Sequence, residues 1–448
     1  MRAILDGNGP AQAAASPPGA RKYVLVCPSC GRRHEDDGLI LECPAGHQPA
    51  LLRTDYAERR FRPGPGPGIF RYREWLPVIR APAAAGASLV YQSKGLASVT
   101  GLPNLWIAFN GYWPERGAGL QTGTFKEFEA YTVLGRLPAG GGVLTVASSG
   151  NTAAAFALAC SQEQVPCLLV IPAQGLARLK FREPLHPCVC LVVVEGGEYP
   201  DAIELVASVS SSPAFQDEGG VRNVGRRDGL ATVLLSAFEQ MRRLPTHYFQ
   251  AAGSGTGAIA VLEAAKRVRA AVGHGELPRL MLCQNLPFAP LYDAWRTGRR
   301  SVAVGPSGRY RRAISQIHAS ELTNWAPPYE IAGGVYDALS ESGGDVLVAA
   351  NSSVRVAMKM FLELEGIDIE PAAGVAVACL LDAAAKEQVG WESVVLLNIT
   401  GGGRRRLEHD YRLVQAQPQL RVPRDSPEWQ EAARVVTALF RCHGPIVP

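Results

Sequence analysis

The chain has 448 residues, 47% hydrophobic and 19% charged, which excludes wholesale disorder. At ~150 residues per domain this length makes two or three domains, with room for a cleft between them. A formal charge of +4, with arginine clusters scattered along the chain, is too thin for a nucleic-acid surface, and no stretch offers the ~20 uninterrupted apolar residues of a membrane span.

Residues 1–22 are rich in Ala, Gly and Pro without periodicity and read as a mobile extension. Residues 23–60 form a compact Cys-containing, ribbon-like segment. Its spacing Cys27-x2-Cys30-x12-Cys43-x3-His47 offers two turn-borne pairs suited to tetrahedral zinc, and suits reduced, buried cysteines equally well. His34 is a less well-spaced alternative ligand. Ten cysteines in a chain that opens without an apolar leader point to reduced thiols and a cytoplasmic location. Pro63-Gly64-Pro65-Gly66-Pro67-Gly68 excludes helix and interior strand, so residues 61–80 read as a linker.

Beyond it, short β-branched runs alternate with helical segments: Leu105–Phe109, Val143–Ala147, Cys167–Ile171, Val189–Val194, His247–Ala251, Leu280–Cys283 and Val394–Leu397. The pattern predicts an α/β fold of parallel sheets covered by helices, whose ligands collect where strands end and helices begin.

Four motifs fall at such junctions. Thr122-Gly123-Thr124-Phe125-Lys126-Glu127 precedes an apolar period through Phe128, Tyr131 and Leu134, placing Lys126 in the first turn of a helix. The dipole there repels a structural cation and favours the neutral, nucleophilic amine of a Schiff-base lysine; a solvated lysine is the simpler alternative. Ser148-Ser149-Gly150-Asn151-Thr152 lies between a strand and an Ala-rich helix. It offers hydroxyls and an amide to an anion such as an amino-acid carboxylate, beyond what one helix cap needs. Gly253-Ser254-Gly255-Thr256-Gly257 lets backbone approach a phosphate at a helix start, without the lysine of a P-loop. Asn398-Ile399-Thr400-Gly401-Gly402-Gly403 ends an apolar strand, where the Thr400 hydroxyl suits a neutral pyridine nitrogen; upstream, Glu370-Pro371-Ala372-Ala373-Gly374 opens another Ala-rich helix.

These four pieces, in this order over about residues 90–405, resemble the fold-type II pyridoxal phosphate enzymes, the group containing threonine synthase, cysteine synthase and tryptophan synthase β. The resemblance implies two open, twisted, mostly parallel sheets with the site between domains. A small domain of about residues 110–222 would be inserted in a large one of about 81–109 and 223–425, with 426–448 a C-terminal tail helix. It also implies that Lys126 carries the cofactor and Asn151 contacts its ring hydroxyl. Ser148, Ser149 and Thr152 would hold the substrate carboxylate, Gly253, Ser254, Gly255, Thr256 and Gly257 would cradle the cofactor phosphate, and Thr400 would meet the pyridine nitrogen.

Within that group the chain is similar to the cysteate synthase family. The carrying stretches are Leu51-Leu52-Arg53-Thr54, Gly111-Tyr112-Trp113-Pro114-Glu115, Gly123 to Lys126, Arg222 to Gly229, and Gln284-Asn285-Leu286-Pro287-Phe288. This similarity implies β-replacement on O-phospho-L-serine by sulfite, giving L-cysteate and phosphate, with Lys126 as general base and Arg226 or Arg227 binding an anion. Threonine synthases usually continue with Asp-Arg after the lysine, where this chain has Glu127-Phe128. Threonine synthase itself, or a phosphoserine enzyme with another nucleophile, is the alternative. A nucleic-acid-binding zinc ribbon on an inactive scaffold is the alternative from another class, and the intact Lys126 stands against it. The expected partners are an amino-acid phosphoester and an anionic nucleophile, with no nucleic acid and no membrane; a homo-oligomer is compatible.

Overall fold

The computed structural model describes residues 21–148, 150–302 and 308–442; most of the N-terminal extension, and Ser149, lie outside them. Two parallel sheets dominate. The larger runs in the order Asp345–Ala349, Arg279–Asn285, His247–Ala251, Val395–Ile399, Leu105–Phe109, Leu89–Gln92, and only the last strand is antiparallel. The second, all parallel, runs Phe215–Asp217, Val143–Ala147, Cys167–Pro172, Val189–Glu195, Leu420–Pro423. Central strands such as Cys167–Pro172 and His247–Ala251 are buried along their whole length because helices cover both faces, and Cys167–Pro172 reads as a continuous apolar run. A third, antiparallel sheet is the ribbon, with Tyr23–Val26 between Arg33–His34 and Arg53–Tyr56. No helix among the described residues is long and apolar enough to cross a membrane.

Two segments differ from their sequence reading. The stretch read as a linker delivers Ile69, Tyr72 and Trp75 into the main core, and Phe61 meets both Tyr72 and Trp75. The Pro-Gly run ends at Gly68, whose φ of 70° admits a close approach to Ala85, and an aromatic turn follows. At the other end, Leu420–Pro423 returns to the second sheet beside Val189–Glu195, and helix Glu428–Cys442 covers it with Ala432 and Val436. A four-residue edge strand with one buried side chain carries too little pattern to be seen in sequence.

Helix Lys126–Arg136 is the centre of the assembly, and every residue after Lys126 is buried. It lies against helix Val224–Met241, where Gly225 and Gly229 share one face four residues apart. A Cβ on Gly229 would stand 2.3 Å from the Phe128 carbonyl oxygen and 2.8 Å from Thr132 Oγ1, and one on Gly225 3.2 Å from Val133 Cα. The backbones touch because these side chains are missing. Overpacking of this kind costs about 1–3 kcal/mol, so Gly229→Ala is expected to lower the unfolding free energy by that amount in denaturant titration. An unchanged midpoint would show that the two helices do not approach so closely.

Candidate active site

A cleft of about 510 Å³ opens where the strands of both sheets end. That volume lies in the range of small-molecule sites. Lys126 is the first residue of its helix, and the loop before it is stitched down. The Glu127 carboxyl accepts from the Thr122 backbone N–H at 2.5 Å and the Thr122 hydroxyl at 2.8 Å. Phe125 N–H donates to the Thr400 carbonyl, Gly402 N–H to Gly123, and Thr124 bridges Gly401. The lysine turn and the turn ending strand Val395–Ile399 therefore form one unit.

The Lys126 ammonium donates to Glu129 Oε2 at 3.1 Å. Glu129 is fully buried, and its other oxygen accepts from Thr152 Oγ1 at 2.9 Å and Arg226 Nη1 at 3.0 Å. Arg226 also grips Glu218, donating through Nε at 2.9 Å and through Nη2. Burial by itself would make the Arg226 guanidinium a weaker base, but Glu129 and Glu218 reverse this and hold its pKa well above the ordinary value. Burial pushes the Glu218 pKa up, against the pull of Arg226.

The remaining predicted residues converge on the same cleft. Ser148 closes strand Val143–Ala147 and its hydroxyl accepts from the N–H groups of Gly150 and Ala153. Asn151 starts the next helix, donates to Glu370 Oε2 at 2.6 Å and accepts from Arg178 at 3.3 Å. Gly253, Ser254, Gly255, Thr256 and Gly257 line the opposite wall, and so does Thr400. Arg226 belongs to the wall, whereas Arg227 does not. Consecutive helical residues point about 100° apart, and the Arg227 fork is buried against the carbonyls of Val221 and Leu52 and the carboxylate of Glu263. An anion-binding Arg227 is therefore replaced by one that fastens the helix to the ribbon. Ser149 lies outside the described residues.

Sequence reasoning missed the acids. Glu129 had a local signal, since three residues on from Lys126 it shares the same helix face. Glu218 and Glu321 approach from distant segments and had none; Glu370 was marked as the start of an Ala-rich helix, but its bond to Asn151 was not foreseeable. Burial lifts the Glu370 pKa to about 7, with help from Glu321 and against Arg178 and Asn151; burial also lifts Glu127 to about 7, against its bonds to Thr122.

The donor set can be tested against a phosphorylated pyridine aldehyde. Gly255, at φ 76°, turns the chain into the 17-residue helix Thr256–Val272, and a Cβ on Gly257 would strike the Gln250 side chain at 2.4 Å. A close-approach glycine turn at a helix start, with the Ser254 and Thr256 hydroxyls 2.9 Å apart, suits a phosphate. The Lys126 amine suits the aldehyde, and the Asn151 amide and Thr400 hydroxyl suit the polar ring edge. The residues present fit the group.

The chain belongs to the pyridoxal-phosphate-dependent enzymes: the family model described as "Pyridoxal-phosphate dependent enzyme" matches residues 113–401. Among its relatives, the cysteate synthase of Methanosphaerula palustris is 45% identical over 419 residues, covering 93% of this chain and 98% of that one. The cysteate synthase of Methanoculleus marisnigri is 46% identical over 404 residues, covering 90% and 93%. Maize serine racemase has the same fold, with a TM-score of 0.53 at 18% identity over 72% of this chain and 93% of its own. The architecture is thus fold type II, and the enzyme depends on pyridoxal phosphate.

Away from the cleft, Cys27, Cys30, Cys43 and His47 bring their ligand atoms within 4.8 Å of one another, an arrangement compatible with a bound zinc ion.

Glu127 gives the lysine turn a pH dependence. Its carboxyl titrates near 7 in the fold against 4.5 ordinarily, so the unfolded chain releases this proton first. The stability it carries is complete below about pH 4.5 and is lost as pH rises through 7. Glu127→Gln keeps the acceptor for Thr122 and removes the titration. Thermal melts from pH 5 to 8.5 are expected to fall less steeply in this variant than in the parent; parallel profiles would contradict a protonated Glu127.

Proposed function

We propose that this chain makes L-cysteate and phosphate from O-phospho-L-serine and sulfite, with Lys126 as the cofactor-bearing and proton-transferring residue. The observation that carries the reading is 45% identity to a cysteate synthase across 93% of the chain. The Lys126, Asn151, Gly253–Gly257 and Thr400 constellation supports it.

When bound, the cofactor supplies an electron sink for charge developing at the substrate Cα. The chain's own residues do the rest. Lys126 Nζ takes the Cα proton, and Glu129, 3.1 Å away, fixes the direction from which it does so. Ser148, Thr152 and the start of helix Asn151–Glu163 orient the substrate carboxylate, with Thr152 itself held by Glu129. The Ser254–Gly257 turn would hold the cofactor phosphate, and the Thr400 hydroxyl would meet its pyridine nitrogen.

Phosphate leaves Cβ and sulfite takes its place, so the pocket receives one oxyanion after another. Among the described lining residues the cations Lys126, Arg222 and Arg226 are matched by Asp217, Glu218 and Glu321. Each cation is already paired with a carboxylate. Recognition of the nucleophile therefore rests on directed donors, backbone N–H groups and hydroxyls, rather than on excess positive charge.

A product assay decides the reading. With O-phosphoserine and sulfite the protein is expected to release cysteate faster than it forms threonine from phosphohomoserine. Lys126→Ala is expected to lose at least ~10²–10⁴-fold in turnover while keeping its fold. Threonine as the dominant product, or sulfite without effect on phosphate release, would overturn the substrate assignment; normal turnover in Lys126→Ala would overturn the role of the lysine.

A further inference from the structure

We propose that Cys27, Cys30, Cys43 and His47 hold one zinc ion, and that this metal is the strut that fixes the far end of the Lys126 helix. The inference concerns the ribbon and stands independently of the substrate.

The two ligand pairs are built alike. Cys27-Pro28-Ser29-Cys30-Gly31 and Cys43-Pro44-Ala45-Gly46-His47 both begin Cys-Pro, and each contains a glycine in the left-handed conformation, Gly31 at φ 70° and Gly46 at φ 71°. The first turn is closed by Cys27 N–H donating to Arg32 and Gly31 N–H donating to Cys27. Cys30 Sγ and Cys43 Sγ stand 3.8 Å apart. Two thiolates on one tetrahedral zinc, each with a bond of about 2.3 Å, stand about 3.8 Å apart, whereas a disulfide requires about 2.05 Å. Cys27 Sγ is 3.3 Å from His47 Nε2. The other His47 ring nitrogen, Nδ1, meets the Gln48 carbonyl at 2.6 Å. A carbonyl can only accept, so Nδ1 carries a proton, and in the neutral ring the Nε2 lone pair faces the sulfurs, as a metal-bound imidazole requires. His34 Nε2 lies 3.4 Å from Cys43 Sγ but outside the set of four. Three sulfurs and one imidazole select zinc among common divalent ions.

The loop between the two ligand pairs reaches the catalytic helix. Asp36, which lies between the two ligand pairs, has a fully buried side chain and grips Arg136 with both oxygens, at 2.8 and 2.9 Å. Arg136 is the last residue of helix Lys126–Arg136. It also donates to the Ile40 carbonyl at 2.7 Å and to Asn223 Oδ1 at 3.0 Å, and Asn223 caps the helix that carries Arg226. From the last ribbon strand, Thr54 and Tyr56 donate to Asp228, two residues beyond Arg226. The ribbon strands are anchored in the main core by Tyr23, Leu25 and Tyr56, but between Cys30 and Cys43 only Ile40 packs against that core, and a metal supplies the missing constraint.

The test begins with metal analysis of the full chain purified without chelator, where one zinc per chain is expected. Cobalt replacement should give the visible bands of tetrahedral thiolate coordination, which Cys30→Ser and His47→Ala weaken and His34→Ala leaves intact. Amide exchange then reads the strut. Removing zinc from the unmutated protein with a chelator is expected to speed exchange over 126–136 and 223–228 roughly tenfold, and Asp36→Asn to do the same with zinc still bound. Absence of zinc, iron in its place, or a Cys30–Cys43 disulfide would overturn the metal site. Unchanged exchange after zinc removal would overturn the strut.

Discussion

Glu129 is a carboxylate without solvent, set between two cations, and the active site is arranged around it. Lys126 and Arg226 each donate to it, Thr152 adds a hydroxyl, and Glu218 balances the second positive charge of Arg226. Four charges from three separate stretches of chain sum to zero in a nearly dry volume. A buried ion that loses its partner costs about 3–5 kcal/mol, so the group tolerates only the packing in which every member is satisfied. Its consequence is geometric: the Lys126 amine, the Thr152 hydroxyl and the Arg226 guanidinium on the neighbouring helix are held in fixed relation before any ligand arrives.

The same helix is secured at its other end. There Arg136 is fully paired with Asp36 and Asn223, and between the two ends Gly225 and Gly229 bring the neighbouring helix into backbone contact. Lys126 thus sits at one end of a rod clamped twice, and the rod joins the ribbon, helix Asn151–Glu163 and the helix of Arg226. Arg227 contributes from the back of that helix, fastening it to Leu52 of the ribbon. A cofactor enzyme needs its amine within a few tenths of an ångström of one position, and paired buried charges on regular elements provide that better than loops do.

Much of this was legible in the sequence. Strands such as Leu105–Phe109, Val143–Ala147 and His247–Ala251 are mostly buried and therefore mostly apolar, and each is followed by a polar, glycine-bearing junction. Lys126 was visible because a cation at the start of a helix is electrostatically misplaced unless chemistry requires it. The partners of these residues were hidden. Glu218 reaches Arg226 by a helix–loop fold-back, Glu370 reaches Asn151 across more than two hundred residues, and no local pattern marks either. Arg226 and Arg227 look equivalent as a dipeptide, and only the direction each takes from the helix separates a wall residue from a fastening. The edge strand Leu420–Pro423 was too short and too polar to announce itself.

The central claim is that Glu129 and Arg226 act on the catalytic amine as one unit. A double-mutant cycle with Glu129→Gln and Arg226→Gln, read as turnover at saturating substrate, measures it most directly. The account predicts strong non-additivity, with the double variant no worse than about the poorer single variant and a coupling of about 1–3 kcal/mol. Losses that simply multiply would contradict it, because they would mean that each residue meets Lys126 or the substrate independently of the other.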